Sequence, residues 1–174
     1  TVLRDCFELG KELIVESRCE QLTEEKLSWA TSINPSFTVA IGLEAYDDEV
    51  LRFHVNKGFS TKSWDKAVEN LRKFNLRVKT YLMFKPPFMS EKDALEHGVR
   101  WIRDVASRSD EISVNPMNIQ RGTIIDRLHR HNEYRPPWLW SLVEMIKQAH
   151  PYIYPKGGLN GSPDQICRLI IPPT

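Results

Sequence analysis

Residues 37–59, FTVAIGLEAYDDEVLRFHVNKGF, decide the reading of the chain, because an uncharged apolar run ends at Glu44 and an acidic helix start follows at once. The run Phe37 to Leu43 is rich in β-branched side chains and carries a glycine at Gly42, which suits a parallel strand covered on both faces. A carboxylate is therefore delivered to the C-terminal end of a strand, which is where α/β proteins bind their ligands.

The same phrase recurs along the chain. Leu13 to Val15 leads into Glu16, Ser17 and Arg18, and a helix start follows near Thr23 with Glu24 and Glu25 in its first turn. Arg77 to Phe84 predicts a third strand, ending at Lys85, Pro86 and Pro87. Ser90 then caps a helix, with Asp93 three residues on and Ala94, Val99, Ile102 and Val105 on its apolar face. Glu111 to Val114 predicts a fourth strand, running into Asn115, Pro116, Met117, Asn118 and Arg121. A last amphipathic helix, Trp138 to Ala149, is expected to bury Leu139, Leu142, Val143 and Ile146.

Helices between short apolar strands imply right-handed crossovers and a mostly parallel sheet. A complete eight-unit barrel needs ~250 residues, so 174 residues point to part of a barrel. The expected architecture is α/β, with about four parallel strands and flanking helices in residues 1–150 and a Pro- and Gly-rich tail in residues 151–174.

Composition excludes several classes. With 41% apolar and 27% charged residues the chain reads as one globular domain, and no run approaches the ~20 apolar residues of a membrane span. A net charge of +1 gives no bulk nucleic-acid footprint. The start at Thr1, without methionine or a signal-like segment, leads to the expectation of an excised piece, cytoplasmic in origin. Cys6, Cys19 and Cys167 are too dispersed for a disulfide framework or a zinc site, and the five histidines form no HExxH pair, so no metal site is expected. No glycine-rich phosphate loop is found.

The succession ELIVESR, VAIGLEAYDDEVLRFHVNKGF, RVKTYLMFKPPF and EISVNPMNIQRGT resembles the later part of a radical S-adenosylmethionine enzyme. Gly42, Leu43, Glu44, Asp47, Asp48, Asn56, Lys57 and Gly58 are similar to the fourth-strand signature of the branch that contains the Elongator catalytic subunit. KPPF, NPMNIQRGT and EYRPPWLWS narrow the resemblance to the archaeosine-biosynthesis members, which act on transfer RNA. The resemblance implies a six-unit partial TIM barrel, (β/α)6, of which this chain supplies the third to sixth units. It also implies S-adenosylmethionine and a [4Fe-4S] cluster in the parent protein. Three cysteines at the family spacing would ligate that cluster, and this chain lacks them.

Carried over residue by residue, the resemblance assigns Glu16, Glu44, Lys57 and Asn115 to the cofactor, and Asn118 and Arg121 to the substrate. Each has a plainer role open to it. Glu16 suits a helix cap or ion pair, Lys57 a solvated turn, and the asparagines a loop that they stabilise themselves. Where relatives place an aspartate in the third strand, this chain offers Thr80 and Tyr81, which leaves ribose recognition there undecided. The most cationic region, residues 121–147, interleaves Arg127, Arg130 and Arg135 with Tyr134, Trp138 and Trp140, a mixture that suits an RNA surface. No catalytic residue is assigned. Two readings follow: a fragment of a radical enzyme of tRNA modification, inactive alone and working with a tRNA or modified nucleoside and a partner enzyme, or a stand-alone small-ligand-binding module or non-radical lyase.

Overall fold

The computed structural model describes residues 2–154 and 167–171. Helix α1 (Val2–Glu8) buries no residue, and β1 (Ile14–Ser17) opens the sheet. A short 3-10 turn (Cys19–Gln21) leads to α2 (Glu24–Ile33), whose first turn is capped by the Thr23 hydroxyl accepting from the Lys26 N–H. Strand β2 (Thr38–Glu44) is followed by α3 (Asp48–Val50), which continues as a π-helical turn over Leu51–Val55. Then come α4 (Thr61–Lys73), β3 (Arg77–Phe84), α5 (Glu91–Ala106) and β4 (Glu111–Pro116). The described residues close with α6 (Ile124–Arg130), α7 (Leu139–Ile153) and β5 (Arg168–Ile170).

The strands lie in sequence order, β1-β2-β3-β4-β5, and every pairing is parallel. Sequential order with right-handed crossovers places the helices on one face, the arrangement of part of a βα barrel. That face carries the core: Val39, Ile41, Val78, Leu82, Phe84, Ile112 and Val114 pack there with Trp64, Leu71, Trp101 and Ile102 from α4 and α5. On the opposite face Glu16 pairs in register with Ala40, Gly42 with Tyr81, and Met83 with Asn115.

The third strand is as expected, but three expectations need correction. β2 is not covered on both faces, since Thr38, Gly42 and Glu44 remain partly exposed while Val39, Ile41 and Leu43 are buried. A fifth strand, β5, extends the sheet from the segment read as tail, and α7 reaches Ile153 within that segment; residues 155–166 and 172–174 lie outside the described residues. Helix α7 also buries a different stripe. Leu142, Met145, Ala149 and Ile153 face inward, whereas Leu139 and Val143 are exposed and Ile146 lies at the boundary. The reason is Gly98 on α5: a Cβ there would lie 2.9 Å from the Met145 Sδ, so the missing side chain forms the notch that Met145 fills.

Candidate functional site

Four neighbouring strands contribute to one cleft of about 600 Å3 at their C-terminal ends. β1 and its exit give Glu16, Ser17 and Arg18, β2 gives Ala40, Gly42 and Glu44, and β3 and β4 give Tyr81 and Asn115. Small residues on β2 leave room above the sheet, and the Tyr81 hydroxyl reaches over them to donate to Glu16 Oε1 at 3.0 Å. Burial, and then the hydrogen bond and charge of Glu16, raise the Tyr81 phenol above its ordinary 10.0, so it stays a donor at neutral pH.

The rim of the cleft is an ion pair. Lys57 Nζ lies 2.9 Å from Glu44 Oε1, with 18% and 19% of the two side chains exposed. Glu44 has φ 71°, a left-handed conformation uncommon for a residue with a side chain, at the irregularity that shifts the β2–β3 register. Strain of this kind persists where surrounding contacts over-determine it, and functional sites are a common place to find it. The neighbours supply those contacts. Gly42 leaves room for the pair, because a Cβ there would stand 3.0 Å from Glu44 Oε1 and 3.1 Å from Lys57 Nζ, and both side-chain ends would have to shift.

The turn that returns Lys57 to the cleft uses Asn56 and Gly58 at φ 53° and 81°. Arg18 Nη2 donates to the Lys57 carbonyl at 3.2 Å, and the Phe59 ring stacks beneath both Arg18 and Lys57. Asp47 caps the next helical turn by accepting from the Glu49 and Val50 N–H groups, and Arg100 of α5 donates to it at 2.7 Å.

A second cleft, of about 310 Å3, lies beyond β4 and shares Asn115 with the first. Met83 and Met117 give it an apolar wall, with Asn118, Gln120 and Thr123 at its edge. The structure thus brings Glu16, Glu44 and Asn115 into one cleft with Lys57 held at its rim, and sets Asn118 next door. Arg121 is exposed and lines neither cleft.

Sequence reasoning left Tyr81 undecided at the ribose position and did not assign it to the site, although the alternation of RVKTYLMF puts Lys79, Tyr81 and Met83 on the face opposite Val78, Leu82 and Phe84. It also missed Lys85, which is buried at φ 59° and forms an ion pair with Glu91 at 2.7 Å. Tyr134 lies over that ammonium and donates to the Lys85 carbonyl at 2.9 Å. Burial would raise the Glu91 carboxyl, but hydrogen bonds from Lys85, Ser141 and the Trp138 N–H outweigh it and hold the group below its ordinary 4.5.

The cysteines do not fit a metal cluster. Cys19 and Cys167 are buried, which pushes both thiols up to about 12, and among the described residues no three His, Cys, Asp or Glu side chains could hold a metal ion. No helix among the described residues is long and apolar enough to cross a membrane.

No protein-family model matches the chain. The chain is 42% identical over 145 residues to a protein of Methanosarcina acetivorans named archaeosine synthase subunit beta, covering 80% of this chain and 42% of that protein. It is 41% identical over 138 residues to the protein of the same name from Thermococcus kodakarensis, covering 78% and 43%. The chain therefore spans less than half the length of these relatives. Among solved structures it is similar in fold to the archaeal Elp3 of Methanocaldococcus infernus, with a TM-score of 0.69, 18% identity, and 91% of this chain and 34% of that chain covered. A GH10 endoxylanase from a sugarcane soil metagenome and a D-psicose 3-epimerase also match, each with a TM-score of 0.52, at 14% and 12% identity. They cover 95% and 98% of this chain and 49% and 56% of their own. Such low identities speak to the fold alone.

Proposed function

We propose that the strand-end cleft binds S-adenosylmethionine, in a radical S-adenosylmethionine protein that takes part in the archaeosine modification of transfer RNA. The observation that carries this reading is the convergence of Glu16, Tyr81, Asn115 and the Glu44–Lys57 pair at the ends of four adjacent strands. Opposite charges 2.9 Å apart complement an amino-acid zwitterion: its ammonium group sits against Glu44 and its carboxylate against Lys57. The Glu16 carboxylate, oriented by Tyr81, accepts from a ribose diol, and the Asn115 amide offers both a donor and an acceptor to an adenine edge. When bound, S-adenosylmethionine supplies the 5′-deoxyadenosyl group.

The identity to proteins named archaeosine synthase subunit beta supports the tRNA pathway and a partner subunit, and the fold shared with Elp3 is in keeping with the radical family. In this reading the ligands of the [4Fe-4S] cluster come from outside this chain and the chain alone is inactive; what supports it is that among the described residues no three His, Cys, Asp or Glu side chains could hold a metal ion. Isothermal titration of S-adenosylmethionine into the chain tests the reading. Glu16→Ala and Glu44→Ala should each weaken binding by about tenfold or more, the worth of a charge-assisted hydrogen bond, with an unchanged circular dichroism spectrum. Affinities equal to that of the unsubstituted chain would remove the carboxylates from the site.

A further inference from the structure

A third recess, of about 390 Å3, lies where the β3–α5 turn meets the chain after α6, lined by Lys85, Phe88, Ser90, Asn132, Tyr134 and Arg135 among others. Its volume is in the ~300–1,000 Å3 range of small-molecule sites. Phe88 is 62% exposed yet has φ 64°, a conformation that favours glycine. Lys85 and Asn132, on either side of the recess, are left-handed too, at φ 59° each. A strained turn beginning Lys85-Pro86-Pro87 thus holds a large aromatic ring out in water instead of in the core. Phe88 meets the ring of His54 edge-on, with centroids 6.1 Å apart. Arg135 and Glu133 both line the recess, and the segment that reaches it, residues 121–135, carries four arginines, Arg121, Arg127, Arg130 and Arg135, of which Arg130 is paired with Asp126.

We infer that this recess captures one unpaired nucleotide of an RNA, its base stacked on Phe88 and its phosphate beside Arg135. A rigid exposed aromatic next to a cation is how single-stranded RNA is held, because every base has a π-face and every nucleotide a phosphate. Duplex RNA hides its bases and cannot use the ring. Trp138, 62% exposed, donates its N–H to Glu91 at the start of α5. The inference deepens the tRNA reading of the previous section and rests on it, but it concerns different residues from the cofactor cleft.

The test measures anisotropy of a labelled RNA stem-loop and of a blunt duplex of the same length, each titrated with the 174-residue chain. The loop should bind at least about tenfold more tightly. Phe88→Gly relieves the left-handed strain, so it should leave the melting temperature unchanged or raised while weakening loop binding by about 5- to 100-fold, the range of one lost stacked base. Phe88→Trp should keep the affinity, and Arg135→Ala should lower the slope of log K against log salt by about 0.7. Equal binding of loop and duplex, a Phe88→Gly variant that binds like the unsubstituted chain, or no binding of either RNA by the folded chain would overturn the inference. S-adenosylmethionine binding is read on the same preparations: Phe88→Gly should not change it, and its failure with RNA binding intact would count against the cofactor reading alone.

Discussion

Alternate residues of β3 meet two different environments. Val78, Thr80, Leu82 and Phe84 lie under the helices and are at most 1% exposed, whereas Lys79, Tyr81 and Met83 face the open side and are only half-buried. The same alternation separates Val39, Ile41 and Leu43 from Gly42 and Glu44 on β2. Parity in a strand thus divides the work: one set of side chains holds the sheet to its helices, and the other lines the open face. Stability and ligand binding should therefore respond to different residues of one strand.

The largest effect comes from breaking the covered face. Phe84→Ala should cost about 3–5 kcal/mol in urea unfolding, while Tyr81→Phe, on the open face, should cost no more than about 1.5 kcal/mol, the worth of its hydrogen bond to Glu16, and should instead weaken S-adenosylmethionine binding. Comparable destabilisation by the two would break the division. The two stripes of α7 sharpen it. Met145→Ala should cost about 2–5 kcal/mol and Val143→Ala, on the exposed stripe, less than about 1 kcal/mol by the same measurement.

Gly42→Ala adds a methyl group 3.0 Å from Glu44 Oε1 on the open face. It should lower ligand affinity more than stability, read by titration beside thermal melting. The smallest effect concerns pH. Glu91 has a folded-state pKa below its ordinary 4.5, so its contribution is present above that value and is lost as the pH falls through the folded value. Glu91→Gln should flatten the fall of melting temperature below about pH 4.5 and leave it unchanged in shape above.

Much of this was legible because local signals agreed with the fold. The bounds of β3, the Thr23 and Ser90 caps and the placement of Glu16, Glu44 and Asn115 at strand ends follow from periodicity and capping chemistry. The inward face of α7 was not legible, because the helix has two apolar stripes and the choice is made by a notch at Gly98 on another helix. β5 spans three residues, too short for period-two patterning, and its place beside β4 is a long-range pairing. Tyr81 was left undecided because its role depends on Ala40 and Gly42 being small enough to let its hydroxyl reach Glu16 two strands away.

The central claim is that the open-face residues form one cofactor site. Amide chemical-shift mapping of the 15N-labelled chain during an S-adenosylmethionine titration tests it most directly, because it detects weak binding and locates it. The account predicts shifts concentrated at Glu16, Gly42, Glu44, Lys57, Tyr81 and Asn115, lost together in Glu44→Ala. Shifts absent from these amides at saturating ligand, or concentrated on the helix-covered face, would contradict it.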